Sequence, residues 1–477
     1  DVPDNMGPLV CERLTVKLTQ GIGKSSTEEI KRECLDLMTD LLKRFGHFNE
    51  PEHAHIMSAV FEQLRSEKTV IRKRAALCLG ALAVVSSETL LNDLITVLLD
   101  RINEIEKTTK RGQTSLESRT LIQTIGTISR TVGYRLGKHL ARIIPLFLHF
   151  LGDPNDESLQ NDATNELRES CFPGLESFVL RCPKEVLPFV GQIIEVSVSF
   201  MKYDPNYAYD EDEDNTPMDI DEENENDDEY DEEEFVASDD DDSSWKVRKA
   251  AVRVINAVVT AHPQLLKDLY NSCADELIKR FKEREENVRL DIITCFTKFV
   301  ETNYVFSQRA DNNSGSNNRT LSRGTSMDEG PQLVRQNSAQ GLLETRLDAV
   351  IHASYVQLRS QSIKTKSSVL GLLQTLVLTL NGGLDRHFLR LASFAEKTLQ
   401  DKNQGLKLDT LQFLRLSFTH HNPIVVQPSI ARLLPHITKI VGEDWYKAIA
   451  EALRVLSAII VAMRPWDEEV NAFDESF

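Results

Sequence analysis

A basic residue near the start of an amphipathic helix recurs along this chain at a nearly constant interval. Each copy has an apolar or small residue, then Lys or Arg, then apolar side chains three and four positions apart, as in "VRKAAVRVI" from Val247. The basic residues of the copies are Lys31, Arg72, Arg119, Arg168, Arg248, Arg289, Lys364, Lys407 and Lys447. We expect each of them to bond an acidic side chain or a carbonyl group in the neighbouring repeat.

The spacing of these basic residues defines the repeat. The gaps are 41, 47, 49, 80, 41, 75, 43 and 40 residues. The two long gaps each contain one stretch without helical periodicity, residues 210–242 and residues 307–341, and removing them shortens the gaps to 47 and 40. A period of about 40–47 residues is typical of HEAT or armadillo helix pairs.

A second apolar helix precedes each basic-marked helix, for example "LARIIPLFLHFL" at 140–151. Proline often starts or interrupts these first helices, as at Pro183 and Pro263, which suits a helix start or a kink and not a strand. The sequence therefore predicts an all-α HEAT-repeat solenoid, a superhelix of about nine antiparallel helix pairs with two disordered inserts. The predicted segments are repeats at 1–203, an acidic loop inside one repeat at 204–243, repeats at 244–306, a Ser/Asn-rich insert at 307–341 and repeats at 342–477.

The acidic run explains the charge of the whole chain. From Asp210 to Asp242, 21 of 33 residues are Asp or Glu and none is Lys or Arg. The rest of the chain has 53 acidic residues against 55 basic ones, so the net charge of −19 belongs to this run. Such a segment buries too little apolar surface to fold. It is either a solvated spacer or an acidic attractant for basic surfaces of a partner, through carboxylates such as Asp210, Glu222, Asp231 and Asp242.

Several classes of protein are disfavoured by the sequence. The longest apolar stretch, Ala75 to Val85 with one Gly, is far too short to span a bilayer. The first residues, DVPDNMGPLV, do not resemble a signal peptide. Seven cysteines without a CxxC pair indicate reduced core thiols, so we expect a cytoplasmic and nuclear protein without membrane contact.

No pattern indicates catalysis. "GIGKSS" at 21–26 resembles half of a phosphate-binding loop, but position 18 is Leu where that motif needs Gly. Ser26 and Glu29 favour a capping box that opens a helix. His53 and His55 are two residues apart and lie on different helix faces, which is not a metal-ligand spacing. We therefore expect a protein that is not an enzyme and has no cofactor or metal.

The candidate binding and modification sites are few. Two basic clusters could contact an acidic partner, or form solvated helix faces; they are Trp245, Lys246, Arg248 and Lys249, and Arg280, Lys282 and Arg284. Aromatic residues are not interleaved with these bases, which disfavours nucleic-acid binding. Three Arg-x-x-Ser patterns end at Ser322, Ser326 and Ser338; these are candidate kinase sites or chance matches.

Five stretches carry a resemblance to a known family. They are "RCPKEV" (181–186), "YDPNY" (203–207), "SSWKVRKAA" (243–251), "RFKEREENVR" (280–289) and "VGEDWYKAIAEALRV" (441–455). In sequence and order they resemble the cullin-associated, neddylation-dissociated proteins. The second insert does not resemble that family, and the helices near 88–110 and 384–400 diverge more.

The resemblance implies a HEAT-repeat regulator of cullin–RING ubiquitin ligases. Such proteins bind an unneddylated cullin with its RING subunit, block modification of the cullin, and compete with adaptor and substrate-receptor modules, which promotes receptor exchange. The chain would correspond to an N-terminal-to-middle portion of such a protein. We expect it to be a monomer that grips the cullin C-terminal region and the RING subunit.

Two other functions share the predicted architecture. Importin-type nuclear transport receptors also stack HEAT repeats and use an acidic loop against basic cargo or the small GTPase Ran. Phosphatase scaffolds are a third class, disfavoured by the long inserts and irregular repeat lengths. Periodicity does not separate these classes; the stretch from "YDPNY" to "RFKEREENVR" favours the cullin regulator.

Overall fold

The computed structural model describes residues 7–23, 27–108, 115–205, 243–313 and 338–464, and these ranges contain helices and no strand. Both predicted inserts lie mostly outside them. The acidic residues Asp210, Glu222, Asp231 and Asp242, and the candidate kinase sites Ser322 and Ser326, are therefore outside the described residues.

The α-helices follow one another with short connections. Up to the second half of the chain they are α1 (Gly7–Ile22), α2 (Glu28–Phe45), α3 (His53–Glu62), α4 (Thr69–Val85), α5 (Glu88–Thr108), α6 (Leu116–Val132), α7 (Leu140–Leu151), α8 (Asp162–Arg181), α9 (Pro183–Val186), α10 (Val190–Met201) and α11 (Ser244–Ala261). The others are α12 (Leu266–Leu269), α13 (Asp275–Lys279), α14 (Glu286–Asn313), α15 (Ala339–Glu344), α16 (Leu347–Leu358), α17 (Ile363–Leu380), α18 (Phe388–Leu399), α19 (Gln404–His420), α20 (Pro423–Val441) and α21 (Tyr446–Ala462).

These helices form nine pairs within the described ranges. The second helices of the pairs are α2, α4, α6, α8, α11, α14, α17, α19 and α21. Each contains one basic residue of the sequence repeat close to its start, so the repeat marks the second helix of every pair. The predicted fold class, a HEAT-type α-solenoid, is confirmed.

Polar caps fix where the second helices begin. Thr27 accepts a hydrogen bond from the Ile30 amide at 3.4 Å and starts α2, one residue later than the capping box expected at Ser26. Asn161 caps α8 through the Thr164 amide at 2.9 Å. These side chains satisfy amide groups that have no partner inside the helix. Gly133, at φ 59°, ends α6 with a backbone conformation that favours glycine.

The chain divides into two compact units. One comprises 1–189 with 199–251, and the other comprises 190–198 with 252–477. In the first unit the second helices α2, α4, α6 and α8 pack side by side, and in the second unit α14, α17, α19 and α21 do so. The cores are aliphatic and aromatic, with edge-to-face pairs such as Phe147 and Phe178, whose ring centroids are 5.1 Å apart.

The edges of the second predicted insert differ from the structure. Helix α14 continues to Asn313, past the predicted boundary at 306, and α15 already begins at Ala339. A nucleated helix lengthens at little cost, so polar composition alone does not end it. Ser338 caps α15 by accepting a hydrogen bond from the Gly341 amide at 3.1 Å.

Candidate partner-binding surface

The repeated basic residues are mainly structural. Arg72 donates to the carbonyl groups of Ser66 and Glu67, both at 2.8 Å. Arg168 donates to the carbonyl groups of Leu151 at 3.0 Å and Asp153 at 3.2 Å. These acceptors lie at the end of the first helix of the same pair or in the connection that follows it. The arginines therefore join the helices of their own pair, and the expected bond to the neighbouring repeat is wrong for these two residues.

Other copies do reach the neighbouring repeat. Arg119 forms an ion pair with Glu166 on α8, and Lys407 donates to Glu443 at 2.7 Å. In these copies the side chain therefore turns either towards the connection of its own pair or towards the next pair.

Arg248 requires a correction. The sequence placed it among partner contacts, but its side chain is fully buried. It donates to the Tyr203 carbonyl at 3.1 Å and to Ser244 Oγ at 2.8 Å, and it lies 3.5 Å from the Asp204 carboxylate. Arg248 therefore acts inside the fold, where it holds the residues on both sides of the acidic run.

A second set of contacts holds the residues on either side of the acidic run. The Arg168 guanidinium lies 4.9 Å from the Phe200 ring centroid and 5.0 Å from that of Tyr203. Ser243 donates to Asp162 at 2.9 Å and accepts from Asn165 at 3.3 Å. The described residues on either side of 206–242 are consequently held in place.

The remaining predicted contacts are placed as follows. Lys246 is exposed, with its amine 5.9 Å from the Trp245 ring centroid, and Trp245 and Lys249 are half-buried. In the other unit Lys282 is exposed, while Arg280 and Arg284 are half-buried. The two clusters thus lie in different units, and partner contact through these six residues stays a prediction. Ser338 is exposed at the start of α15, where a kinase site also stays a prediction.

The sequence did not predict the exposed face of the second helices in the first unit. We define the second-helix face as the solvent-exposed side of α2, α4, α6 and α8. Aliphatic side chains lie along it: Leu37 on α2 is 56% exposed, and Val70, Leu77 and Val84 on α4 are 54%, 56% and 50% exposed. A row of exposed aliphatic residues is typical of a protein–protein contact surface. Its sequence signal is apolar residues at intervals of seven on the side of α4 opposite the core.

A groove crosses the second-helix face between α4, α6 and α8. Its volume is about 550 Å³. Its floor includes Gly126 and Gly174, where a Cβ on Gly126 would lie 3.4 Å from the Gly174 Cα. The amide of Gln123 donates to Ser170 at 2.9 Å, and the hydroxyl groups of Ser129 and Ser177 are 2.8 Å apart. These bonds hold α6 against α8 and fix the shape of the groove.

The described side chains offer little for catalysis. Burial raises the pKa of the Cys78 thiol to about 12, despite a hydrogen bond with Thr39, and it also raises the pKa of Cys171. Both thiols are therefore unreactive at neutral pH. Among the described residues no group of three or more His, Cys, Asp or Glu could hold a metal ion. None of the described helices combines the length and the apolar character that crossing a membrane requires.

Stacked pairs with an exposed aliphatic face define the class of this protein, a HEAT-type solenoid. Solved importins share the fold. Importin beta aligns over 99% of this chain and 49% of its own, with a TM-score of 0.61 and 10% identity. A mutant of Kap121p aligns over 96% of this chain and 38% of its own, with a TM-score of 0.60 and 12% identity. At these identities the likeness concerns the fold alone.

Sequence comparisons identify the family. Cullin-associated NEDD8-dissociated protein 1 of Drosophila melanogaster is 33% identical over 99% of this chain. Protein 1 of Arabidopsis thaliana is 31% identical over 97%, and protein 2 of Mus musculus is 32% identical over 96%. A family model described as "CAND1-like, TPR repeats" matches residues 382–476. Over nearly its whole length the chain is similar in sequence to the cullin-associated NEDD8-dissociated proteins, which confirms the resemblance that its motifs predicted.

The aligned span is partial. The chain covers 35% of the Drosophila and Arabidopsis relatives and 34% of the mouse relative.

Proposed function

We propose that this chain is a protein-binding scaffold for cullin–RING ubiquitin ligases. The observation that carries the proposal is the 33% identity over 99% of the chain with a protein named for its association with cullins. In finer terms, the chain binds an unneddylated cullin together with its RING subunit. It thereby limits modification of the cullin and competes with adaptor and substrate-receptor modules.

The physical support for binding is the second-helix face. Exposed Leu37, Val70, Leu77 and Val84 would lose contact with water in a complex, and each buried aliphatic side chain contributes favourably to association. A surface made by consecutive repeats can also follow an elongated partner over a long distance, so that many modest contacts add up.

The test is direct binding to a purified cullin–RING core on a biosensor. We expect this chain to bind the unmodified core and to bind the same core after NEDD8 conjugation at least tenfold more weakly, since the modifier would occupy part of the contact surface. Absence of binding, or equal affinity for the two forms, would contradict the proposal.

GTP-loaded Ran is the matched alternative partner on the same sensor. The importin fold and the acidic run are shared features that make this comparison necessary. Binding of Ran without binding of cullin would support an importin-type transport receptor instead.

The proposal also covers the oligomeric state and the cellular location of the protein. We propose that it is a monomer that acts by binding and not by catalysis, in the cytoplasm and the nucleus. Light scattering of the purified chain tests the first point, and microscopy of a tagged chain tests the second; a stable dimer, or a membrane-bound or secreted protein, would contradict them.

A further inference from the structure

The groove on the second-helix face contains two cations that the fold leaves available. Lys73 on α4 lines the groove and is exposed, and its side-chain amine makes no hydrogen bond or ion pair among the described residues. Arg130 on α6 is exposed, and among the described residues its guanidinium donates only to Thr127 Oγ1, at 3.1 Å. Its Nη1 lies 3.8 Å from the position that a Cβ on Gly126 would occupy. The guanidinium therefore lies over the floor of the groove with most of its donors unused.

Most of the other charged side chains of the lining already have partners within the fold. Arg72 is buried and bonded to carbonyl groups, and Arg119 is paired with Glu166. Glu169 is the one lining carboxylate without a partner among the described residues. Lys73 and Arg130 against Glu169 give the unpaired side chains of the groove a net positive charge. The groove therefore favours a negatively charged occupant.

The shape of the groove limits what that occupant is. Gly126 and Gly174 line the floor without side chains, and Leu77, 56% exposed, provides an apolar side. A guanidinium binds a carboxylate through two parallel hydrogen bonds, while Leu77 offers contact to an aliphatic side chain. Exposed aromatic residues for base stacking are absent from the described lining, which favours a protein segment over a nucleic acid.

We propose that this groove binds an acidic segment of a partner protein, with one Asp or Glu carboxylate on Arg130, Lys73 attracting a second acidic group, and an aliphatic side chain against Leu77. The inference deepens the proposed function and rests on it for the identity of the partner, a cullin–RING core. The preference of the groove for carboxylates does not depend on that identity.

The probe is a fluorescent twelve-residue peptide of Glu with a central Leu, and its twin has Gln at every Glu. Fluorescence anisotropy with the whole chain should show at least tenfold tighter binding of the acidic peptide at low salt. Arg130→Gln and Lys73→Gln should each weaken that binding about five- to tenfold. Glu169→Gln should strengthen it about two- to fivefold, because a repulsive charge is removed.

Lys43→Gln is the matched control, since Lys43 is an exposed lysine of α2 outside the groove and should leave the affinity unchanged. Thermal melting of every variant shows that the fold is intact. No preference of the wild-type chain for the acidic peptide, or equal affinity in Arg130→Gln and Lys43→Gln, would overturn the inference. A mixed-sequence single-stranded DNA that competes fully at equal charge concentration would overturn the choice of a protein segment.

The same variants separate this inference from the proposed function. If the chain binds the peptide as expected but binds no cullin–RING core, the inference that the groove binds acidic segments is supported and the proposed function is contradicted. If it binds the core with an affinity that Arg130→Gln and Lys73→Gln do not change, and shows no peptide preference, the function stands and the inference fails.

Discussion

Arg168 and Lys447 occupy the same place in the sequence repeat but have different environments. Arg168 is fully buried, donates to two carbonyl groups and lies against two aromatic rings. Lys447 is exposed, and its side-chain amine makes no hydrogen bond or ion pair among the described residues. One sequence position therefore serves as a buried clamp in one pair and as a solvated side chain in another.

Replacing Arg168 with Met should be strongly destabilising. The substitution leaves the carbonyl groups of Leu151 and Asp153 without their donor, and we expect a loss of about 2–4 kcal/mol in the free energy of unfolding. Lys447→Met should change it by less than about 0.5 kcal/mol. Urea unfolding followed by circular dichroism measures both, and equal losses would contradict the buried-clamp role.

At the scale of helices, glycine sets how closely neighbours approach. A Cβ on Gly174 of α8 would lie 2.4 Å from Cε1 of Phe147, a buried ring of α7. Apart from the adjacent residues and backbone of its own helix, no heavy atom of the described residues lies within 4 Å of the corresponding position at Gly371 of α17. The two glycines look alike in the sequence, yet only Gly174 is required by packing.

Gly174→Ala and Gly371→Ala should therefore have opposite effects. Overpacking against Phe147 should cost about 1–3 kcal/mol of stability. Gly371→Ala should add about 0.5–1 kcal/mol, because alanine loses less backbone entropy in a helix interior. Thermal melts of the two variants test this, and a destabilised Gly371→Ala or a neutral Gly174→Ala would show that the packing is not as described.

A surface ion cluster connects α5 to the segment before α7 and makes the stability of the fold depend on pH. Lys138 and Arg135, each 2.5 Å from a Glu88 oxygen, lower the pKa of that carboxyl to about 2. The depressed pKa means that Glu88 contributes stability above its unfolded pKa of about 4.5, and that this contribution is lost as the pH falls from 4.5 towards 2.

The melting temperature of wild type should therefore exceed that of Glu88→Gln at pH 6, and the difference should shrink as the pH falls below 4.5. Glu50 is an exposed glutamate whose carboxylate makes no hydrogen bond among the described residues, so Glu50→Gln should leave the melting temperature unchanged. A difference that is constant from pH 6 to pH 3 would contradict the linkage.

At the scale of the whole molecule, the acidic run interrupts one helix pair. The pair consists of α9 and α10 before the run and α11 after it. Arg248 bonds to Tyr203 before the run and to Ser244 after it, so the two ends lie close together. Closing a longer loop between fixed ends costs only slowly increasing entropy, which explains how the repeat accepts an insertion.

Deleting residues 210–242 should leave the melting temperature of the chain nearly unchanged and should slow association with the cullin–RING core at low salt. Removing the acidic residues takes away attraction for a basic partner surface, and salt screens this attraction over roughly 8 Å at physiological ionic strength. Stopped-flow association rates at about 20 mM and about 500 mM salt, between which the Debye length changes about fivefold, measure this effect. Identical rates for the deletion and wild type at both salts would contradict a steering role.

The sequence by itself determined the repeat, the all-α class, the place of the acidic run between two helices of one pair, and the family. These follow from local information: helical periodicity needs only side chains three and four apart, and motifs such as "SSWKVRKAA" keep their identity without the fold. Tertiary structure alone decided that Arg248 is buried, that Gly174 is needed where Gly371 is not, and that Lys73 and Arg130 remain available in one groove. The physical reason is that burial and pairing depend on neighbours in other helices or connections, such as Phe147 for Gly174 and Tyr203 for Arg248, which periodicity within one helix does not specify.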